Sequence, residues 1–168
     1  LGSQANEQTQ AVTGFVINHP SLEGVDIKND VLTLIKTYGT NCPFTLADQL
    51  GILVRYKSLP SEVHGFYYAV LQRRFIVINE ADPYDVQRFT CAHELGHDIL
   101  HRGMGYYFIE DHTFFASSKF ERQANIFAVS LLTQGDLPGS SESYREFCIR
   151  HHLPLTLPIE QWLGTWVR

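Results

Sequence analysis

The sequence predicts an α+β domain in which a small three-stranded antiparallel sheet packs against helices. Three observations carry that expectation. Residues 24–39 and 118–134 space their apolar side chains for helices, residues 52–79 hold three short β-rich runs, and Asp82-Pro83 opens a further helix. Helix, sheet and then helices is the order of an α+β fold, not of alternating βαβ units.

The stretch GVDIKNDVLTLIKTYG places Val25, Val31, Leu32, Ile35 and Tyr38 near helical spacing and ends on Gly39, as an amphipathic helix does. PFTLADQLG is a shorter helical turn closed by Gly51. The period then changes. ILVRYKS, GFYYAVL and FIVIN are rich in β-branched and aromatic residues and are bounded by LPSEVHG and QRR, so they read as strands. FIVIN is open to two readings: an edge strand to which an extended substrate adds by β-augmentation, or an edge protected by Arg73 and Arg74.

Asp82 as N-cap with Pro83 at the first helical position starts a helix expected to run through YDVQRFTCAHELGHDILHR and stop at Gly103. Residues 103–118 read as a long irregular loop. SKFERQANIFAVSLLTQ is the next helix, with Phe120, Ala124, Phe127 and Leu131 along one stripe. Two short helices follow, around 141–151 and from Pro158.

A chain of 168 residues fits one domain with a real core. Leu1-Gly2-Ser3 reads as a cloning scar and the rest of residues 1–10 as a polar lead, leaving 11–168 as a single domain whose end is a helical extension. The only methionine is Met104, so an upstream segment is expected to be missing. The formal charge of −5 argues against direct nucleic-acid binding, which needs a concentrated basic face. No apolar run approaches the ~18 residues that span a bilayer, and no secretory signal is visible. Cys42, Cys91 and Cys148 are odd in number and widely spaced, which suits a reducing cytoplasm better than a disulfide framework.

Within FTCAHELGHDIL, His93 and His97 stand four residues apart, so on a helix both imidazoles share one face. Zinc accepts two such nitrogens and wants a third protein ligand and an open position. Glu94 follows the first histidine, beside the ion without ligating it, where it can act as a base toward water. With this composition a chance H-E-x-x-H is about a 2% event, which favours the metal reading over three incidental polar residues. His101 is too far along the helix from His93 to share the ion and reads as a C-terminal cation or a packing residue. Glu121, on the following helix, is the candidate third ligand, since a glutamate at the edge of an apolar face is costly unless paired or coordinated; the alternative is a solvated glutamate paired with Lys119 or Arg122. Asn125 shares its helix face and is placed to offer an amide oxygen to a ligating histidine or, alternatively, to tie down the 103–118 loop. His151 and His152 read as an exposed pair.

The pairing of RFTCAHELGHDILH with ERQANIFAVSLL resembles the ImmA/IrrE family of zinc metallopeptidases, whose pattern is H-E-x-x-H followed by E-x-x-A-N-x-F-A. Glu121, Ala124, Asn125, Phe127 and Ala128 match the second motif position by position. CPFTLADQLGILVRY is similar to that family's proline-led helix and strand, so the resemblance covers roughly residues 25–135. It departs at LLTQGDLP, where the family more usually ends on leucine-proline, and after that point matches nothing. The resemblance implies a zincin-like, gluzincin-type core with Zn2+ held by His93, His97 and Glu121 and with Glu94 as the base. It also implies a protein substrate, a helix-turn-helix repressor whose cleavage derepresses a mobile element, a prophage or a stress response. Tyr106, Tyr107 and His112 are candidates for stabilising the oxyanion. Two other classes stay open: a metal hydrolase of small molecules, expected to have a closed pocket instead of a groove beside Phe75–Asn79, and an interaction module with a fourth protein ligand such as His112.

Overall fold

The computed structural model describes residues 26–101 and 119–163. It is an α+β fold of six helices and one three-stranded sheet among the described residues. Helix α1 spans Ile27–Tyr38. The Asp26 side chain caps it by accepting from the Asn29 N–H at 3.1 Å. Gly39 closes it at φ 69°, a conformation that costs glycine little. Helix α2 (Pro43–Gln49) starts on its proline and leads into β1 (Ile52–Lys57).

Strands β2 (Gly65–Val70) and β3 (Arg73–Asn79) form a hairpin. Leu71 and Gln72, at φ 46° and 63°, make its two-residue turn. Two left-handed residues in succession are what a type I′ turn requires. The sheet order is β1-β3-β2, with β1 parallel to β3 and β2 antiparallel to it. The expected all-antiparallel sheet is therefore corrected to a mixed one. FIVIN is likewise the central strand, not an edge.

The physical reason lies in the strands themselves. Phe75–Ile78 is an unbroken apolar run, suited to a strand flanked on both sides, whereas β1 carries Arg55 and Lys57 outward. Buried Asn79 fixes the crossing. Its side-chain amide donates to the carbonyls of Leu59, Pro60 and Val63, holding the β1–β2 connection over the end of β3. Arg74 does not guard an edge. It turns inward to Asp98 at 2.7 Å and to the Leu50 carbonyl.

Helix α3 spans Tyr84–Leu100. Pro83, not Asp82, occupies its N-cap position, and Asp82 instead pairs with His64 at 2.8 Å. The helix ends on His101, before the expected stop; Gly103 lies outside the described residues. Helix α4 runs Lys119–Thr133, α5 Tyr144–Arg150 and α6 Ile159–Leu163. Ser143 and Glu146 form a reciprocal capping box at the start of α5.

The core gathers Leu34, Leu46, Ile76, Ile78, Phe89, Leu95, Phe127, Leu131, Phe147 and Trp162. Phe89 and Trp162 stack at 5.5 Å between centroids, which ties α6 to α3. On α4 the expected stripe holds for Ala124, Phe127 and Leu131, all buried, while Phe120 is half-buried. The structure thus sinks α3 between the sheet on one side and α4 on the other. No helix among the described residues is long and apolar enough to cross a membrane.

Candidate metal centre

His93 and His97 lie one turn apart on α3 and meet the first turn of α4, which carries Glu121. A small residue on each helix permits that approach. A Cβ added at Gly96 would stand 3.2 Å from the Ala124 Cα and from Phe127, closer than ordinary van der Waals contact. Any side chain at 96 would push α4, and Glu121 with it, away from the histidines.

The Nε2 atoms of His93 and His97 are 3.0 Å apart, and each lies 3.2 Å from one oxygen of Glu121. All three residues are buried. An ion bound tetrahedrally at about 2.0–2.1 Å sets its donors about 3.3 Å apart, so this triangle has the size to hold one. Proton placement supports the same fit. Asn125, one turn beyond Glu121, sets its Oδ1 2.9 Å from His93 Nδ1. An amide oxygen only accepts, so the His93 hydrogen sits on Nδ1 and a lone pair points from Nε2 into the triangle. A lone pair facing a buried carboxylate is repulsive until a cation lies between them. The residues present fit a divalent metal.

Glu94, the next residue along α3 from His93, accepts from the Tyr67 main-chain N–H of the sheet. It is buried, and its Oε2 has no hydrogen-bond partner among the described residues. Burial raises its carboxyl to about 7, with a further push from the Glu121 charge, against the opposing pull of His97 and the Tyr67 main-chain N–H. A carboxylate so placed has the proton affinity of a general base near neutral pH.

Two further groups on this helix have partners with no signature in the local sequence. Fully buried Asp98 accepts from the Tyr67 hydroxyl at 2.9 Å and from Arg74 at 2.7 Å. Tyr67 therefore serves both acids of that α3 face, Glu94 through its backbone and Asp98 through its hydroxyl. A carboxylate set among Leu95, Ile99 and Leu100 signals a hidden partner, but a contact 24 positions away in the chain has no local signature.

His101 is the second. It is buried, with Nδ1 3.2 Å from His97 Nδ1 and Nε2 3.1 Å from the Gln123 Oε1, and it packs edge-on against Phe120. Burial, then the neighbouring His97, lowers its imidazole to about 4. Of the two readings of His101, a helix C-terminal cation or a packing residue, its burial and its contact with Phe120 support the second. His151, at the end of α5, pairs with Asp136 at 3.1 Å and takes no part in the cluster. Tyr106, Tyr107 and His112 lie outside the described residues.

Two helix-borne histidines, a glutamate from the next helix and a buried acid beside them, packed on a small mixed sheet, make a zincin-like metallopeptidase core. Over residues 47–138, which include α3 and α4, the sequence matches the M78 peptidase family, described as the IrrE N-terminal-like domain. The chain belongs to that ImmA/IrrE-type metallopeptidase family. It is 41% identical over 106 residues to "Uncharacterized immunity region protein 2" of Bacillus phage phi105, an alignment covering 63% of this chain and 67% of that protein. It is 32% identical over 108 residues to "Metallopeptidase ImmA" of Bacillus subtilis (strain 168), covering 63% of this chain and 62% of that protein. No solved structure matches the chain.

Proposed function

We propose that the protein is a zinc-dependent endopeptidase whose substrate is a helix-turn-helix transcriptional repressor. The observation that carries this reading is the buried His93–His97–Glu121 triangle with Glu94 beside it. The relatives add weight to both halves of the reading: one is named for an immunity region and the other is called a metallopeptidase. Three free cysteines agree with a cytoplasmic setting.

His93, His97 and Glu121 would hold the zinc, and two imidazoles with one carboxylate are a donor set that suits it. When bound, the metal supplies Lewis-acid polarisation of water and of the scissile carbonyl. The chain's own residues do the rest. Glu94 takes the proton of the attacking water and passes it to the leaving amine as the peptide bond breaks. Asn125 holds the His93 ring in the orientation that aims Nε2 at the centre. Tyr67 keeps Glu94 facing the site through its main-chain N–H.

Tyr67 also suggests where the substrate lies. Alternate residues of an outer strand turn their N–H and C=O away from the ladder, and β2 is an outer strand of the described sheet. An extended peptide pairing with β2 brings its backbone past Glu94.

Incubating the protein with the repressor encoded beside it is expected to give two fragments. Pretreatment with a chelator stops the reaction, and zinc restores it. An intact repressor in the zinc-loaded reaction would overturn the substrate, and cleavage that survives chelation would overturn the metal. Asn125→Ala is expected to weaken zinc binding by ~10–100-fold while the melting temperature of the metal-free protein changes little. The reverse pattern, full affinity with a lowered melting temperature, would make Asn125 a structural residue only.

A further inference from the structure

We infer that His101 and Gln123 are positioning residues which fix the tautomer of His97, and so decide whether its Nε2 can meet a metal. The inference rests on the metal reading above and begins from two facing ring nitrogens. His97 Nδ1 and His101 Nδ1 lie 3.2 Å apart and both rings are buried, so one proton, and only one, belongs between them. Which ring owns it is decided at the far end of the chain of contacts. The Gln123 oxygen, 3.1 Å from His101 Nε2, can only accept. A singly protonated His101 therefore carries its hydrogen on Nε2, which leaves its Nδ1 bare. The shared proton then belongs to His97 Nδ1, and the His97 lone pair points from Nε2 toward His93 and Glu121.

This arrangement differs from that of the other histidine, which meets the Asn125 oxygen directly. His97 reaches its amide through an intervening imidazole. Helix α4 thus sends three side chains of one stretch to the centre. Glu121 goes directly, Gln123 acts through His101, and Asn125 acts on His93. Reversing the Gln123 amide would reverse every proton in the relay. His97 would then carry its hydrogen on Nε2, where no metal can bind.

Long-range ¹H–¹⁵N correlation spectra of histidine-labelled, zinc-loaded protein test the assignment. They are expected to show His97 protonated on Nδ1 and His101 on Nε2. His101 protonated on Nδ1 overturns the relay. Zinc affinity, measured by competition with a chromophoric chelator, gives the second reading. His101→Phe keeps a ring against Phe120 but removes the acceptor, and is expected to lower affinity by ~10–100-fold. His101→Gln returns an oxygen that can take the His97 proton and is expected to recover most of the loss. A residue needed only for packing predicts the opposite order, with Phe retaining affinity and Gln losing it. Should His101→Phe fail to fold, Gln123→Met removes the terminal acceptor alone and, in the metal-free protein, is expected to release His101 into a mixture of tautomers. An unmixed Nε2–H form in that variant overturns the relay. If the wild type takes up no zinc, the metal reading fails by itself, and the tautomers of the metal-free protein still decide the relay.

Discussion

Glu94→Gln is expected to keep the fold and the zinc and to lose ~10²–10⁴-fold in kcat, the span a positioned general base contributes. The substitution conserves volume in a fully packed position. The amide oxygen of Gln can still accept from the Tyr67 main chain, and the new NH2 takes the place of an oxygen that had no partner. What disappears is the ability to receive a proton. Because Glu94 stands outside the His93–His97–Glu121 triangle, metal content measured by elemental analysis should stay at one equivalent. Loss of zinc in this variant would make Glu94 a ligand or a structural group. Full activity with zinc retained would remove it from the chemistry.

The site was more legible than the sheet, for a physical reason. Helical spacing is local. Four residues make a turn, so His93 and His97 had to share a face, and the same rule put Glu121 and Asn125 together on α4. Only the meeting of the two helices needed the fold, which brings Gly96 close against Ala124. Strand order has no such local rule. The alternating strand directions could be anticipated from short connections, but placing β3 between β1 and β2 depended on Asn79 gathering a loop 16 to 20 residues away.

The same distinction explains the partners that were missed. Helix α3 carries two polar stripes: His93, His97 and His101 meet α4, while Glu94 and Asp98 meet the sheet. An amphipathic helix has one solvated face, so polar residues on α3 invite assignment to water. Here residues 89–99 are all buried, and the polar side chains among them answer to α4 on one side and to the sheet on the other. His101 reads equally as a C-terminal cation or a packing residue because Gln123, its acceptor, belongs to another helix.

His93→Ala and His97→Ala are each expected to reduce bound zinc from one equivalent to a trace. Each removes one of three protein donors, and the two that remain leave most of the coordination to water. The loss should exceed the ~10–100-fold effect of removing an outer partner such as Asn125. The two variants should nonetheless be equal in this respect, because both Nε2 atoms lie 3.2 Å from the Glu121 carboxylate. His151→Ala is the control for simple histidine content. Its ring pairs with Asp136 at the end of α5, so one equivalent of zinc should remain. Circular dichroism of the metal-free proteins separates loss of the ion from loss of the helices that present it. Trace zinc in a variant that keeps its helical spectrum assigns the missing donor to the metal. A full equivalent in either His93→Ala or His97→Ala would mean that the ion sits elsewhere, and that the triangle is only a buried hydrogen-bonded cluster.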